Sequence, residues 1–218
     1  MMMDEAITKK IEKSALVAVL VLDDADNAIP LARALLRGGI GAVELTLRTP
    51  AAFDALSKLK AGVPEITAGI GTILTPRQVK EAKERGADFG VAPGYNPTVL
   101  KAAKTFGLSY APGVSTASEI EAAYEQGCRT LKFFPAESLG GLTYLKNVNA
   151  PYAHLGIRYI PLGGVSAGNL KAYLENEAIL AVGGSWLAPR DLINEKNWDK
   201  ISKNCEEAMK IAHQVRGV

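Results

Sequence analysis

The sequence predicts an α/β chain folded as a single (β/α)8 TIM barrel over residues 1–218, with an N-terminal helical extension before the first strand. Three observations carry this. Short apolar stretches alternate with amphipathic ones along the whole chain, the pattern of strands each followed by a helix. Three consecutive units repeat one phrase: a glycine (Gly86, Gly107, Gly127) closes a helix, a short strand follows, and a proline (Pro93, Pro112, Pro135) ends the strand. The 218 residues, 48% of them hydrophobic, are enough for one large core, and no second compositional block interrupts them.

The elements follow in order. Residues 15–22 form the first strand. The run from Ser14 to Leu22 is too short to cross a bilayer, ends in Asp23-Asp24, and precedes no small-residue cleavage site, so it reads as a buried strand rather than a leader. The remaining strands are expected at 42–47, 65–69, 89–92, 108–112, 130–133, 158–161 and 179–182. Amphipathic helices fill 25–37, 75–85, 96–106, 116–126 and 167–174 between them. A doubly wound open sheet is the competing architecture. Its dinucleotide fingerprint is only half present, because Gly69-Ile70-Gly71 follows a strand but no third glycine arrives at the required spacing.

Composition narrows the functional classes. Lys and Arg number 25 against 23 Asp and Glu, a net charge of +2, and no basic tract appears. Neither nucleic acid nor an anionic membrane is indicated as a partner. Cys128 and Cys205 form no CxxC pair. Cys205 falls with Trp198, Ile201, Ala208, Ala212 and Val215 at three/four spacing, which makes it a core thiol of the last helix. A reduced, cytoplasmic setting follows. The only histidines are His154 and His213, and no His/carboxylate cluster has metal-ligand spacing.

The chemistry begins at Lys132, inside the apolar run Thr130-Leu131-Lys132-Phe133-Phe134-Pro135. An ammonium is costly in such a place unless it is paired or gives up its proton. A neutral amine is a nucleophile toward carbonyl carbon; the plain alternative is a lysine at a strand edge whose stem covers apolar surface. In Val43-Glu44-Leu45-Thr46-Leu47-Arg48, alternation puts Glu44, Thr46 and Arg48 on one face and the aliphatic residues on the other. That turns Glu44 toward the barrel axis and sets Arg48 at its mouth; a Glu–Arg pair bracing one strand is the plain alternative. A carboxylate and an amine directed into one barrel make a base and a nucleophile. Glycine-rich turns follow the third strand (Gly69-Ile70-Gly71-Thr72), the seventh (Gly163-Gly164-Val165-Ser166) and the eighth (Gly183-Gly184-Ser185). The last two lie where barrels of this kind bind phosphate.

These stretches, with Ala92-Pro93-Gly94, Pro112-Gly113-Val114-Ser115-Thr116 and Lys132-Phe133-Phe134-Pro135-Ala136-Glu137, run in order over nearly the whole chain. Together they resemble the class I aldolases that cleave 2-keto-3-deoxy-6-phosphogluconate (KDPG) and, in many members, 4-hydroxy-2-oxoglutarate (KHG). The resemblance implies a homotrimer of barrels with no metal and no organic cofactor, a small 2-keto acid or phosphorylated sugar acid as partner, and a place in carbohydrate breakdown by the Entner–Doudoroff route. It makes Lys132 the Schiff-base lysine and Glu44 the proton shuttle. Arg48 and Thr72 would hold the pyruvyl carboxylate, and Pro93 and Phe134 would line the pocket. Gly163, Gly164, Gly184 and Ser185 would surround the phosphate.

One position departs from the family pattern. The phosphogluconate-type enzymes usually carry Thr before the Gly-Gly of the seventh strand end, where this chain has Leu162. Aldolases acting on the galactonate epimer carry an apolar residue there, so altered selectivity at C4 is expected. Two rival readings lie outside the class: a metal-free phosphosugar isomerase using Glu44 as base, and a non-enzymatic phosphate-binding barrel. A metal-dependent aldolase lacks the ligand set.

Overall fold

The computed structural model describes residues 2–218. The helical extension is α1 (Glu5–Ser14), capped by Asp4, whose carboxylate accepts from the Ala6 and Ile7 N–H groups that a first helical turn leaves without partners. The body then alternates β1 (Leu16–Leu20), α2 (Ala28–Arg37), β2 (Ala42–Thr46), α3 (Ala52–Gly62), β3 (Thr67–Gly71), α4 (Pro76–Glu84), β4 (Phe89–Val91) and α5 (Pro97–Phe106). It continues through β5 (Tyr110–Ala111), β6 (Gly113–Val114), α6 (Ala117–Glu125), β7 (Thr130–Phe133), α7 (Gly141–Asn149), β8 (Arg158–Pro161), α8 (Ala167–Leu174), β9 (Val182–Gly184), α9 (Arg190–Asn194) and α10 (Trp198–Arg216). The three helix-closing glycines behave as read: Gly86, Gly107 and Gly127 have φ of 84°, 65° and 83°, where a side chain would be strained.

The strands are parallel and hydrogen-bonded into two curled sheets, one of six strands in the order β5-β4-β3-β2-β1-β9 and one of three in the order β6-β7-β8. The sequence predicts one continuous ring of eight. The fifth strand, expected at 108–112, is confined to Tyr110–Ala111, and β6 follows Pro112 as a separate strand in the other sheet, since proline has no N–H for a ladder. Its carbonyl still accepts from the Lys132 N–H at 2.9 Å. Two boundaries also shift toward the C-terminus. The third strand, expected at 65–69, runs Thr67–Gly71, and the eighth, expected at 179–182, runs Val182–Gly184. In both cases glycines read as the turn belong to the strand. Ile179 meets β8 only through a single bridge to Tyr159.

Alternation along each strand sorts two cores. Leu16, Ala18 and Leu20 of β1, Val43 and Leu45 of β2, Leu131 and Phe133 of β7 and Tyr159 of β8 join the helices in the larger cluster. Val17, Phe89, Val91, Ile160 and Leu162 form a smaller interior cluster. Ile11 of α1 belongs to that interior cluster and is wholly buried. So α1 closes one end of the interior, and the strands deliver their polar side chains to the other.

Both cysteines are free and buried. Loss of hydration pushes the Cys128 thiol up to about 11 and the Cys205 thiol up to about 12, so neither is a reactive thiolate near neutral pH. No helix among the described residues is long and apolar enough to cross a membrane. Among those residues no cluster of three or more His, Cys, Asp or Glu side chains could hold a metal ion.

Candidate active site

At the C-terminal ends of the strands lies a cavity of about 220 Å³ that contains all ten residues picked out from the sequence: Glu44, Arg48, Thr72, Pro93, Lys132, Phe134, Gly163, Gly164, Gly184 and Ser185. Its floor is an ion pair. Lys132 comes from β7 and Glu44 from β2, on different sheets, yet the Lys132 Nζ donates to both Glu44 carboxylate oxygens at 2.9 and 3.2 Å. Their side chains are only 7% and 3% exposed, so water screens the pair little. The amine also lies 5.6 Å from the centre of the Phe134 ring, a distance at which the ring face attracts a cation. Neither plain alternative describes these residues: Lys132 is not at an exposed strand edge, and Glu44 pairs with Lys132 rather than Arg48.

Arg48 and Thr72, expected from the sequence to hold a carboxylate, line the same cavity as the pair. Arg48 stands in the turn after β2, where its N–H donates to the Thr46 carbonyl at 2.7 Å. Among the described residues its guanidinium has no hydrogen-bond or ion-pair partner, which leaves its planar fork free for a carboxylate. Thr72 follows β3 with φ of 61°, a conformation that costs a β-branched residue of order 1–3 kcal/mol. Strain of that size persists only where the surrounding structure holds the residue in place.

The opposite wall is backbone. Gly163 and Gly164 have φ of 94° and 84°, and the Gly163 carbonyl accepts from the Glu137 N–H at 2.9 Å. A Cβ on Gly164 would fall 2.6 Å from the Glu137 Cβ, and one on Gly184 would overlap the Trp186 ring. No lysine or arginine lines this end, so an anion there would be held by backbone N–H groups, the Ser185 hydroxyl and the nearby N-terminus of α8.

Val19, Thr46, Leu162, Val165 and Gly183 also line the cavity. Thr46 shares the alternating face of Glu44 and Arg48, so its position was readable from the pattern; its hydroxyl donates to the Leu20 carbonyl at 3.0 Å. Val19 and Val165 carry no sequence signal that separates a pocket wall from a core residue.

A buried lysine–carboxylate pair sharing a cavity with an arginine, on the strand ends of a parallel α/β sheet, is the kind of site a class I aldolase uses. Residues 7–204 match the family described as KDPG and KHG aldolase, and the chain belongs to that family. It is 40% identical over 207 residues to the 2-dehydro-3-deoxy-phosphogluconate aldolase of Haemophilus influenzae, covering 95% of this chain and 97% of that protein. It is 39% identical over 193 residues to the KHG/KDPG aldolase of Escherichia coli K12, covering 88% and 90%. A crystal structure of the Legionella pneumophila KDPG aldolase, with pyruvate captured at low pH as a covalent carbinolamine intermediate, superposes with a TM-score of 0.88 at 34% identity. It covers 93% of this chain and 97% of its own.

Proposed function

We propose that this chain is a class I aldolase that cleaves 2-dehydro-3-deoxy-6-phosphogluconate to pyruvate and glyceraldehyde 3-phosphate, and 4-hydroxy-2-oxoglutarate to pyruvate and glyoxylate. The observation that carries the reading is the buried Lys132–Glu44 pair, 2.9 Å apart, with Arg48 and Thr72 in the same cavity.

The steps follow from that geometry. Arg48 and Thr72 fix the substrate carboxylate, which places C2 over Lys132. The ammonium passes a proton to Glu44, and the neutral amine adds to the C2 ketone to give a carbinolamine, the intermediate type captured in the Legionella relative. Glu44 returns the proton to the departing hydroxyl, so that water leaves and an iminium remains. Glu44, again a carboxylate, takes the C4 hydroxyl proton. The C3–C4 bond breaks, its electron pair enters the iminium as an enamine, and the aldehyde leaves. Glu44 then protonates C3, and water adds to the iminium to release pyruvate and the amine. One carboxyl alternates between base and acid, as microscopic reversibility requires. The backbone wall of Gly163, Gly164, Gly184 and Ser185 takes the phosphate.

The proposal extends to the assembly. Residues 1–218 would form one (β/α)8 unit whose two sheets close through residues 178–180. There the Tyr159 N–H donates to the Ala178 carbonyl at 2.7 Å and the Leu180 N–H to the Tyr159 carbonyl at 2.8 Å. The unit works as a cytoplasmic homotrimer without metal or organic cofactor.

Borohydride reduction with pyruvate, followed by peptide mapping, tests the reading. A reduced pyruvyl group is expected on Lys132. Folded protein that gives no adduct would point to the isomerase or the phosphate-binding barrel.

Leu162 supports a second substrate. It lines the cavity and is 5% exposed; a Cβ on Gly183 would lie 2.6 Å from its Cγ. It offers no hydroxyl to orient a polar substituent, so the galactonate epimer at C4 should also be cleaved. Initial rates on the two epimers are expected to be of similar size, and strong discrimination against the galacto epimer would exclude this.

A further inference from the structure

The two glycines of β3 take no part in the chemistry above, and their half-complete nucleotide fingerprint has no use in it. They share the inward face of the strand, so β3 sends no side chain into the interior beyond Thr67. Neither needs glycine for its backbone, since neither is among the residues with positive φ. What they provide is space. A Cβ on Gly69 would lie 2.3 Å from the Phe89 ring, and one on Gly71 would lie 1.9 Å from the Glu44 Oε1, 2.6 Å from its Cδ and 2.7 Å from its Cγ. Real Cβ contacts do not come that close, so a side chain at 71 and the present Glu44 conformer exclude each other.

Glu44 has nowhere equivalent to go. Its carboxylate is 3% exposed, its oxygens lie 2.9 and 3.2 Å from the Lys132 Nζ, and the apolar side chains of Val17, Phe89, Val91 and Ile160 line a small enclosed space beside the pair. A carboxylate rotated away from Gly71 leaves the amine, either for those apolar surroundings, where an unpaired charge is costly, or for the cavity that Arg48 lines.

We propose that Gly71 is a positioning residue, whose missing side chain is the space in which the Glu44 carboxyl stands against Lys132. The inference rests on Glu44 as the proton shuttle. It assigns Gly71 a duty on every proton transfer through Glu44, so attachment slows as well, while the final adduct yield is kept because the atoms nearest a methyl at 71 belong to Glu44 and not to Lys132.

Two readouts test it. In Gly71→Ala, borohydride should still trap pyruvate on Lys132 once attachment, slowed by the displaced carboxyl, has reached equilibrium. Exchange of the pyruvate methyl protons with D2O, which needs Glu44 to deprotonate the iminium, should fall about a hundredfold, the share expected of a positioned general base. A thermal-unfolding cycle then separates positioning from packing. Gly71→Ala should lower Tm in the native background. In a Glu44→Ala background, where the added methyl enters the space the carboxyl has left, it should leave Tm unchanged, since residues coupled by direct contact are non-additive.

If Gly71→Ala fails to fold, the Glu44→Ala/Gly71→Ala variant should still fold with the Tm of Glu44→Ala. Native exchange in Gly71→Ala, an equal Tm loss in both backgrounds, or failure of the double variant to fold would each overturn the inference. Native exchange in Glu44→Ala alone would instead overturn the assignment of Glu44, so the two failures are distinguishable.

Discussion

Lys132→Ala is expected to abolish turnover and the borohydride-stable pyruvate adduct together, while the fold survives. The covalent route has no substitute in the cavity, since among its lining residues only Arg48 and Lys132 carry a basic group and a guanidinium does not deprotonate under working conditions. The loss in kcat should reach at least about 10⁴-fold, a large part of the acceleration an enzyme provides over the uncatalysed reaction. The substitution also strands Glu44, 3% exposed, without its partner. Breaking a buried pair from one side typically costs about 3–5 kcal/mol, so Tm should fall as well. Lys132→Met, which retains most of the side-chain volume, separates lost packing from lost chemistry: it should be as inactive as the alanine variant and lose less Tm. Turnover near the native rate in either variant would remove the Schiff-base mechanism.

Glu44→Gln should separate the yield of the pyruvate adduct from the rate of proton transfer. The amide is nearly isosteric and its oxygen still accepts from the Lys132 Nζ, so Lys132 keeps its place and pyruvate remains trappable at the end point, although attachment slows without its proton carrier. An amide cannot shuttle a proton, however. Methyl-proton exchange in D2O and aldol cleavage should both fall by about 10²–10⁴-fold, the range of general acid–base catalysis. Adduct yield and exchange rate would thus part company in this variant, whereas in Lys132→Ala they disappear together. Exchange at the native rate in Glu44→Gln would mean that another group, or solvent, moves the proton.

Much of this site was legible in the sequence because strand alternation is local. The face shared by Glu44, Thr46 and Arg48 follows from a period of two, as does the placement of Lys132 opposite Leu131 and Phe133. A lysine in an apolar strand marks itself, because burying an ammonium requires a compensating partner. The glycine pairs at 163–164 and 183–184 could likewise be placed at a backbone wall of the cavity, since close backbone approach is a property of the residues themselves.

Other features depended on which strands became neighbours. Glycine reads as punctuation in a single strand, so the local pattern ends the third and eighth strands too early. Gly69 and Gly71 remain in β3 because Phe89 from β4 and the Glu44 carboxyl from β2 occupy the space that side chains there would take. Pro112 reads as a strand terminator, yet it divides one stretch between two sheets while its carbonyl stays bonded to Lys132. Nothing in its local pattern announces that Ile11 reaches the interior, because an apolar residue on an amphipathic helix has the same signature wherever it is buried.

The amino-acid order therefore determined the alternation of elements, the inward-facing polar groups and the family to which they belong, all of which rest on local periodicity and residue chemistry. Only the folded chain decided that Lys132 pairs with a carboxylate 88 residues away, that Thr72 is held at a strained φ, and that the empty position at Gly71 is filled by Glu44. Those are relations between strands, and close packing sets them when the strands meet.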